Sequence, residues 1–451
     1  MNKIFGTDGI RCLVNQDPLT VETCLKISKS VAYLLTSNKV KSKRVVISKD
    51  TRLSGYLYEP LITAGFVSMG IDVILVGPLP TASLPILIKT LRADIGVMIT
   101  ASHNTYEYNG LKFFDSKGYK LKSDIEKKVE NIIFNKKKYS KITNNSPKSG
   151  KALRLEDASG RYSEFLKNSL NKNNLIKKFK IVLDCANGAT YNVAPNLFWE
   201  LGHEVVSINS TPNGMNINKN CGAVDVTDLK KNVISKKADI GFAFDGDGDR
   251  LIAVDEKGKT IDGDKILALF AKYLEINKNK KLKKIVVSTV MSNLGFENFI
   301  KKNLKFDLIR TNVGDINVIS AMNRNKSFLG GEQSGHIILS EFSNTGDGIL
   351  AALKIIEIMS KKNSKTSNIF NLYDELPQIK INIPYDKIND KVRKKINLLS
   401  KNKSLNKKNF RFLIRFSGTE PLIRILVEGP KISEVKLLAN KLEIKVRSLI
   451  D

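Results

Sequence analysis

The sequence predicts an α/β fold with parallel or mostly parallel sheets, and three observations carry that reading. Strand-like apolar runs alternate with helical patterns: Arg44-Val45-Val46-Ile47-Ser48, then a helical pattern over 57–70, then Val73-Ile74-Leu75-Val76. At 451 residues the chain is too long for one ordinary core and implies roughly three domains. One theme also occurs twice. Ala93-Asp94-Ile95-Gly96 runs through apolar residues into a serine loop, and Ala238-Asp239-Ile240-Gly241 runs through Phe242-Ala243-Phe244 into an acidic loop. The shared order of helix end, strand and polar loop suggests duplicated α/β domains.

Phe5-Gly6-Thr7-Asp8-Gly9-Ile10-Arg11 comes first. Its glycines allow a tight turn, and Arg11 is a fixed cation suited to a phosphate; a plain turn with a surface arginine reads equally well. A helical pattern near 20–36 follows, then the strand from Arg44, the polar loop Lys49-Asp50-Thr51-Arg52, and the turn Gly77-Pro78-Leu79-Pro80. The strand Ile95-Gly96-Val97-Met98-Ile99 leads into Thr100-Ala101-Ser102-His103-Asn104, with Asn109-Gly110-Leu111-Lys112 soon after. Open α/β folds place their chemistry in loops at strand ends. Ser102 is the candidate nucleophile, but a serine hydroxyl needs a base or a prior modification, and Lys112 is the base on offer. No Gly-x-Ser-x-Gly elbow surrounds it, which argues against a hydrolase triad. By itself, a loop serine capping the next helix fits as well.

Residues 134–160 are polar and read as a linker between domains. The strand Lys180-Ile181-Val182-Leu183-Asp184 enters the turn Cys185-Ala186-Asn187-Gly188, and Glu204-Val205-Val206-Ser207-Ile208 follows a helix. Asp245-Gly246-Asp247-Gly248-Asp249-Arg250 is the strongest local signal in the chain. Its glycines let the backbone curl so that three carboxylates converge on a hard cation. So few protein oxygens favour Mg²⁺, which keeps waters and takes a phosphate oxygen. A strand, Leu251-Ile252-Ala253-Val254, replaces the rest of an EF-hand loop.

The third segment has a helix near 263–275, the strand Lys284-Ile285-Val286-Val287-Ser288, and a polar turn at Thr311-Asn312-Val313-Gly314-Asp315. In Leu329-Gly330-Gly331-Glu332-Gln333-Ser334-Gly335-His336, flanking glycines expose Glu332 and Ser334, which suit pairs of sugar hydroxyls; an ordinary turn fits too. His336 reads as a hydrogen-bonded histidine packed behind that loop. Asp347 caps a periodic helix over 348–360. After the strand Ile379–Ile383 and a basic helix, Arg415-Phe416-Ser417-Gly418-Thr419-Glu420-Pro421 combines an arginine, two hydroxyls and a glycine turn. That is a phosphate cradle without a Walker lysine. The strand Leu422–Glu428 and a C-terminal helix end the pattern.

The formal charge is +29, from 74 basic and 45 acidic residues. Nucleic-acid binding is one reading of it. Against that, the lysines are spread and often sit beside Asn, as in Asn277-Lys278-Asn279-Lys280-Lys281, and no aromatic residues interleave with a basic run. Solvated Lys/Asn-rich faces explain the bias, and a positive field also suits anionic sugar phosphates. The four cysteines (Cys12, Cys24, Cys185, Cys221) are scattered, so neither a zinc site nor a disulfide framework is expected. No apolar run reaches the roughly 18 to 20 residues of a membrane span. Met1–Asp8 lacks an apolar signal region, and a cytoplasmic protein is expected.

From Phe5 to Glu428, the four loops in this order resemble the α-D-phosphohexomutase superfamily. Phe5–Arg11, Glu332–His336 and Ser417–Pro421 point to its glucosamine branch. The resemblance implies three related α/β domains with mixed sheets and a smaller C-terminal α+β domain around a central cleft. It divides the chain at 1–150, 151–255, 256–370 and 371–451. It implies that Ser102 carries a phosphoryl group, as a phosphoserine, and also faces the metal. Asp245, Asp247 and Asp249 would hold Mg²⁺, and Lys112, Arg11, His103 and Arg250 would serve the chemistry. Glu332, Gln333 and Ser334 would bind the sugar, and Arg415, Ser417, Gly418, Thr419 and Arg424 the phosphate that stays put. The implied reaction is an isomerisation of glucosamine 6-phosphate and glucosamine 1-phosphate through a 1,6-bisphosphate, feeding UDP-N-acetylglucosamine synthesis. Glucosamine or glucose 1,6-bisphosphate would prime the serine. The partner is a small sugar phosphate, with no nucleic acid or membrane, and a homodimer is left open. A phosphomannomutase/phosphoglucomutase is the sibling reading; a basic nucleic-acid-binding protein is the reading from another class. Thr105 stands where a proline is usual after Ser-His-Asn, and Cys12 where a glycine is usual after Arg11, which bears on loop stiffness and packing.

Overall fold

The computed structural model describes residues 3–6, 8–36, 43–143, 149–171, 177–273, 283–386, 388–400, 409–417 and 421–450. Four sheets organise them. The first has six strands in the order Ile10–Leu13, Tyr108–Asp115, Ile95–Ile99, Arg44–Lys49, Asp72–Pro78, Ala152–Arg154. The second has five: Thr260–Ile261, Leu251–Asp255, Ile240–Phe244, Lys180–Asp184, Glu204–Ile208. The third has four: Asp307–Thr311, Lys283–Thr289, Ser327–Gly331, Ile337–Leu339. The last is a three-stranded antiparallel sheet, Gln378–Pro384, Leu422–Glu428, Arg411–Phe416.

The central strands are parallel because helices lie between them in sequence and cover the sheet on both faces. Such strands read as unbroken apolar runs, and Ile95–Ile99 and Ile240–Phe244 are buried throughout. The alternation of strand and helix implies mostly parallel sheets and the family resemblance mixed ones, and the pairing agrees with the second. In each of the first three sheets a short loop returns the chain antiparallel to a central strand: Ile95–Ile99 to Tyr108–Asp115, Ile240–Phe244 to Leu251–Asp255, and Ser327–Gly331 to Ile337–Leu339. A loop of a few residues can only close such a return. The sheets are therefore mixed, and the serine, acidic and Glu332 loops occupy the same position in three related units.

The first unit has its own core, on both sides of its sheet, around Val45, Ile47, Ile62, Phe66 and Val97 on one face and Val46, Leu84, Ile88 and Met98 on the other. The second and third share one, in which Phe242, Phe244 and Leu251 meet Ile266, Leu329, Ile349 and Leu353. The helix Gly348–Lys362 lies in that shared core, and Asp347 accepts the Leu350 N–H at its start, 2.9 Å away. The fourth sheet packs its own core against the helix Ile432–Ile450, through Ile423, Ile425, Leu442 and Val446. This is the expected arrangement of three related α/β units and a smaller α+β unit.

The polar stretch 134–160 is more than a linker: it forms the helix Lys136–Thr143, the edge strand Ala152–Arg154 and the start of the helix Ala158–Asn168. The first sheet thus reaches past residue 150, through the pairing of Val73 with Ala152, and the second past 255, through Val254 with Thr260. Edge strands this short carry no periodicity to read. No helix among the described residues is long and apolar enough to cross a membrane.

Candidate active site

Ser102 follows directly on the buried strand Ile95–Ile99 and is itself 1% exposed, with φ +51°. That left-handed backbone turns its side chain out of the strand direction. Its hydroxyl donates to Asp245 Oδ2 at 2.8 Å, and His103 Nδ1 lies 3.5 Å away. Its amide donates to Thr100 Oγ1 at 2.8 Å. Burial, with the cations of Arg250 and Arg11, pulls His103 down to about 3, so its ring is neutral at physiological pH. Arg11 reaches the same loop, with Nη1 donating to Asn104 Oδ1 at 3.1 Å.

Asp245, Asp247 and Asp249 each offer a carboxylate oxygen, and the three oxygens lie within 4.8 Å of one another. All three residues are buried. Burial, then Asp249 and Asp247, push the Asp245 carboxyl well above its ordinary range. Asp247 Oδ1 is buried and has no hydrogen-bond partner among the described residues. Asp249 Oδ1 is likewise buried without one, and three converging carboxylates with two such oxygens fit a divalent cation. The glycines serve close approach: a Cβ on Gly246 would stand 2.6 Å from the Ser102 carbonyl oxygen.

Lys112 Nζ lies 2.9 Å from Asp247 Oδ2, 3.2 Å from Asp249 Oδ2 and 3.3 Å from Asp8 Oδ2. Burial works against its charge, but Asp247, Asp8 and Asp249 override it and hold the ammonium well above its ordinary value. A lysine accepts a proton readily only when its pKa is depressed, and the carboxylates act in the opposite direction. Ion pairs continue through the first and third α/β units, and His336 closes the circuit back to the second. Asp8 pairs with Lys120, Lys120 with Asp315, and His336 stands 3.9 Å from Asp315 and 3.6 Å from Asp249, which returns to Lys112. Gly346 N–H donates to His336 Nε2 at 3.1 Å, which fixes the ring behind the loop.

Arg250 is tied to the acidic loop, with its N–H donating to Asp245 Oδ1 at 3.1 Å, and it forms an isolated β-bridge with His336. That bridge brings the third unit's loop to the second's. In that loop Glu332 is buried and accepts the Gly314 N–H at 2.9 Å, Ser334 is exposed and 3.4 Å from Glu332 Oε2, and Gln333 Oε1 is 3.4 Å from Lys380 Nζ of the fourth unit. Ser102, Lys112, Arg11, His103, Arg250, the three aspartates, Glu332 and Ser334 are thus linked through one connected set of contacts.

Arg415 and Arg424 stand apart from them, directly opposite each other on the fourth sheet. Burial and then the Arg424 cation lower Arg415 below its ordinary value, and Arg415 Nε is buried without a partner among the described residues. Ser417 N–H donates to Leu422 O at 2.8 Å. Gly418 and Thr419 lie outside the described residues.

Sequence reasoning missed several partners of this site. Asp8 and Asp315 were only parts of turns, and Asp50 and Arg52 only a polar loop. Thr81, whose hydroxyl donates to Asp247 Oδ2 at 2.6 Å, and Asn218, whose amide donates to the Ser102 carbonyl at 2.8 Å, carried no signal. The one available cue was four polar or charged residues in succession after a buried strand, at Lys49–Arg52.

Comparison with known proteins agrees with this layout. Models of the phosphoglucomutase/phosphomannomutase family match four successive segments: its alpha/beta/alpha domain I at 2–140, domain II at 160–258, domain III at 262–376, and its C-terminal domain at 387–445. A phosphoglucosamine mutase from Thermodesulfovibrio yellowstonii is 44% identical over 446 residues, covering 98% of each chain. Among solved structures, a phosphoglucomutase/phosphomannomutase family protein from Burkholderia thailandensis superposes with a TM-score of 0.83 at 22% identity, covering 99% of this chain and 97% of that one. The Aspergillus fumigatus N-acetylphosphoglucosamine mutase, in complex with GlcNAc-6P and magnesium, does so with a TM-score of 0.69 at 19% identity, covering 99% and 96%. The chain belongs to the α-D-phosphohexomutase superfamily and, within it, to the phosphoglucosamine mutase family.

Proposed function

We propose that this chain interconverts glucosamine 6-phosphate and glucosamine 1-phosphate, with Ser102 as the phosphoryl carrier. The observation that carries the reading is the Ser102 hydroxyl set 2.8 Å from Asp245 inside the acidic triad. A serine there can hold a phosphoryl group among cations, and phosphoryl transfer needs positioning and charge neutralisation above all. Asp245, Asp247 and Asp249 are the residues to hold Mg²⁺, which when bound neutralises phosphoryl oxygens. The phosphoserine gives its phosphoryl to O1 of glucosamine 6-phosphate, forming the 1,6-bisphosphate. The bisphosphate turns over in the cleft, and its 6-phosphoryl passes back to Ser102 Oγ, leaving glucosamine 1-phosphate.

Glu332 and Ser334 hold sugar hydroxyls in this scheme, with Gln333 beside them. Arg415, Arg424 and Ser417, with Gly418 and Thr419, bind the phosphate that is not transferred; two facing arginines, one with an orphaned N–H, suit an anion. Arg11 and Arg250 flank the transferred group, and neutral His103 lies beside the serine oxygen. Lys112 is the residue to exchange a proton with the sugar hydroxyl. A ligand that engages Asp247 and Asp249 removes two of the anions that keep it charged. Four free cysteines suit a reducing compartment and support a cytoplasmic enzyme. The test is intact-protein mass spectrometry after incubation with glucose 1,6-bisphosphate: one phosphoryl group on Ser102, discharged by glucosamine 6-phosphate, is expected, and a phosphoryl group elsewhere refutes the assignment.

A further inference from the structure

The serine loop is gripped from behind by donors belonging to two different units. Arg52, 1% exposed, points Nη2 at the carbonyl oxygens of Ser102 (3.0 Å) and Asn104 (2.7 Å), and Nη1 at that of Thr105. Its Nε donates to Asp50 Oδ2 at 2.9 Å, and its own amide to Asp50 Oδ1 at 3.0 Å. Asp50 Oδ2 also accepts the Thr100 hydroxyl at 2.6 Å, and Thr100 Oγ1 accepts the Ser102 amide. Thr100, Asp50, Arg52 and Ser102 therefore form a closed circuit, each about as buried as the others.

Asn218 comes from the second unit. Its side-chain amide donates to the same two oxygens, those of Ser102 and Asn104, at 2.8 Å each. Gly246 of the acidic loop packs on the same spot: a Cβ there would fall 2.6 Å from Ser102 O and 2.7 Å from Asn218 Nδ2. A residue with φ +51° and a side chain is strained, and it persists only where its surroundings hold it. Here both lone pairs of the Ser102 carbonyl and its amide are taken.

We propose that Arg52 and Asn218 are positioning residues for phosphoryl transfer. They lock Ser102 in its left-handed conformation, and Asn218 keys that conformation to the acidic loop of the neighbouring unit. Neither touches the reacting atoms. Arginine is required at 52, because its planar fork serves Asp50 and three carbonyls at once, which a lysine ammonium cannot. The inference rests on Ser102 being the phosphoryl carrier, but not on which sugar it serves.

The experiment uses full-length Asn218→Ala and Arg52→Lys proteins. Thermal melting is recorded first. The rate of Ser102 phosphorylation by glucose 1,6-bisphosphate is then followed by intact mass, alongside kcat and KM for glucosamine 1-phosphate. A misplacement of the nucleophile costs up to about 10²-fold in rate, so kcat and the phosphorylation rate should fall about tenfold or more well below the melting temperature, with KM within about twofold. If Arg52→Lys does not fold, Asn218→Ala decides alone. A folded Asn218→Ala protein with a wild-type phosphorylation rate, or a rate loss that merely tracks the unfolded fraction, overturns the proposal. Wild-type protein that is never phosphorylated on Ser102 refutes the functional reading instead.

Discussion

Ser102 and Asp245 belong to different α/β units, yet the hydroxyl of one donates to the carboxylate of the other at 2.8 Å. Their loops hold equivalent positions in related units, so the duplicated architecture itself brings a buried serine hydroxyl to the acidic triad.

Ser102→Ala should abolish turnover. It removes one hydrogen bond from a buried loop and leaves the backbone anchors in place, so circular dichroism and melting should stay close to wild type. Near wild-type mutase activity in the purified variant would remove Ser102 from the mechanism.

Asp247→Asn takes one charge from the triad and weakens the contacts with Lys112 and Thr81. The Mg²⁺ concentration for half activity should rise by about tenfold or more, since even outer groups of metal sites carry that much. Excess chelator should stop the wild-type enzyme and added Mg²⁺ restore it. Full activity in chelator would show that the triad serves no metal.

Lys112→Met should cut kcat by about 10²-fold or more, with less effect on KM. The same change strands Asp247 and Asp249 without the ammonium they share, while Asp8 keeps Lys120 and Arg11, and breaking a buried ion pair costs about 3–5 kcal/mol. The variant should therefore melt lower in chelator than wild type and recover most of the loss in Mg²⁺. A variant whose only defect is a raised KM makes Lys112 a substrate-binding residue.

The candidate site residues were legible where type and spacing are local. Asp245, Asp247 and Asp249 alternate with glycines in one short loop, and Ser102 directly follows an apolar strand. Their supports were not, because those exist only once distant segments meet: Lys120 lies 195 positions from Asp315, and Asn218 lies 116 from Ser102. Lys112 shows the same limit. Its nearness to Ser102 in sequence suggested a base, while the three carboxylates that set its protonation come from elsewhere in the chain. In the fold, helices such as Val21–Thr36 and Gly348–Lys362 carried clear periodicity and the return strand Leu251–Asp255 was legible as an apolar run, but the edges Ala152–Arg154 and Thr260–Ile261 are too short to carry any pattern.

Stability should fall in mild acid, in part through His203. It is 3% exposed and sits between the Phe179 and Phe198 rings, and burial lowers it to about 4 from an ordinary value near 6.5. The folded state thus binds this proton less readily than the unfolded chain. Its contribution is full above pH 6.5 and is lost as pH falls from there through about 4. His203→Asn keeps an acceptor for the Phe179 N–H but cannot titrate. Urea melts across this window should give the variant a flatter pH dependence, whatever its absolute stability. An unchanged slope would assign the acid sensitivity to other groups.

A panel of glucosamine, glucose and mannose 6-phosphates, each with Mg²⁺ and glucose 1,6-bisphosphate as primer, separates an amino-sugar mutase from its sibling enzyme. A protonated C2 amine favours a site with a carboxylate and an amide oxygen, and Glu332 and Gln333 supply both in one loop. A buried acceptor left unpaired costs roughly 1–3 kcal/mol, enough for about tenfold to hundredfold discrimination. The highest kcat/KM is expected on glucosamine 6-phosphate, with weak activity on the glucose phosphate. Equal or higher kcat/KM on the glucose or mannose phosphate would contradict the glucosamine assignment.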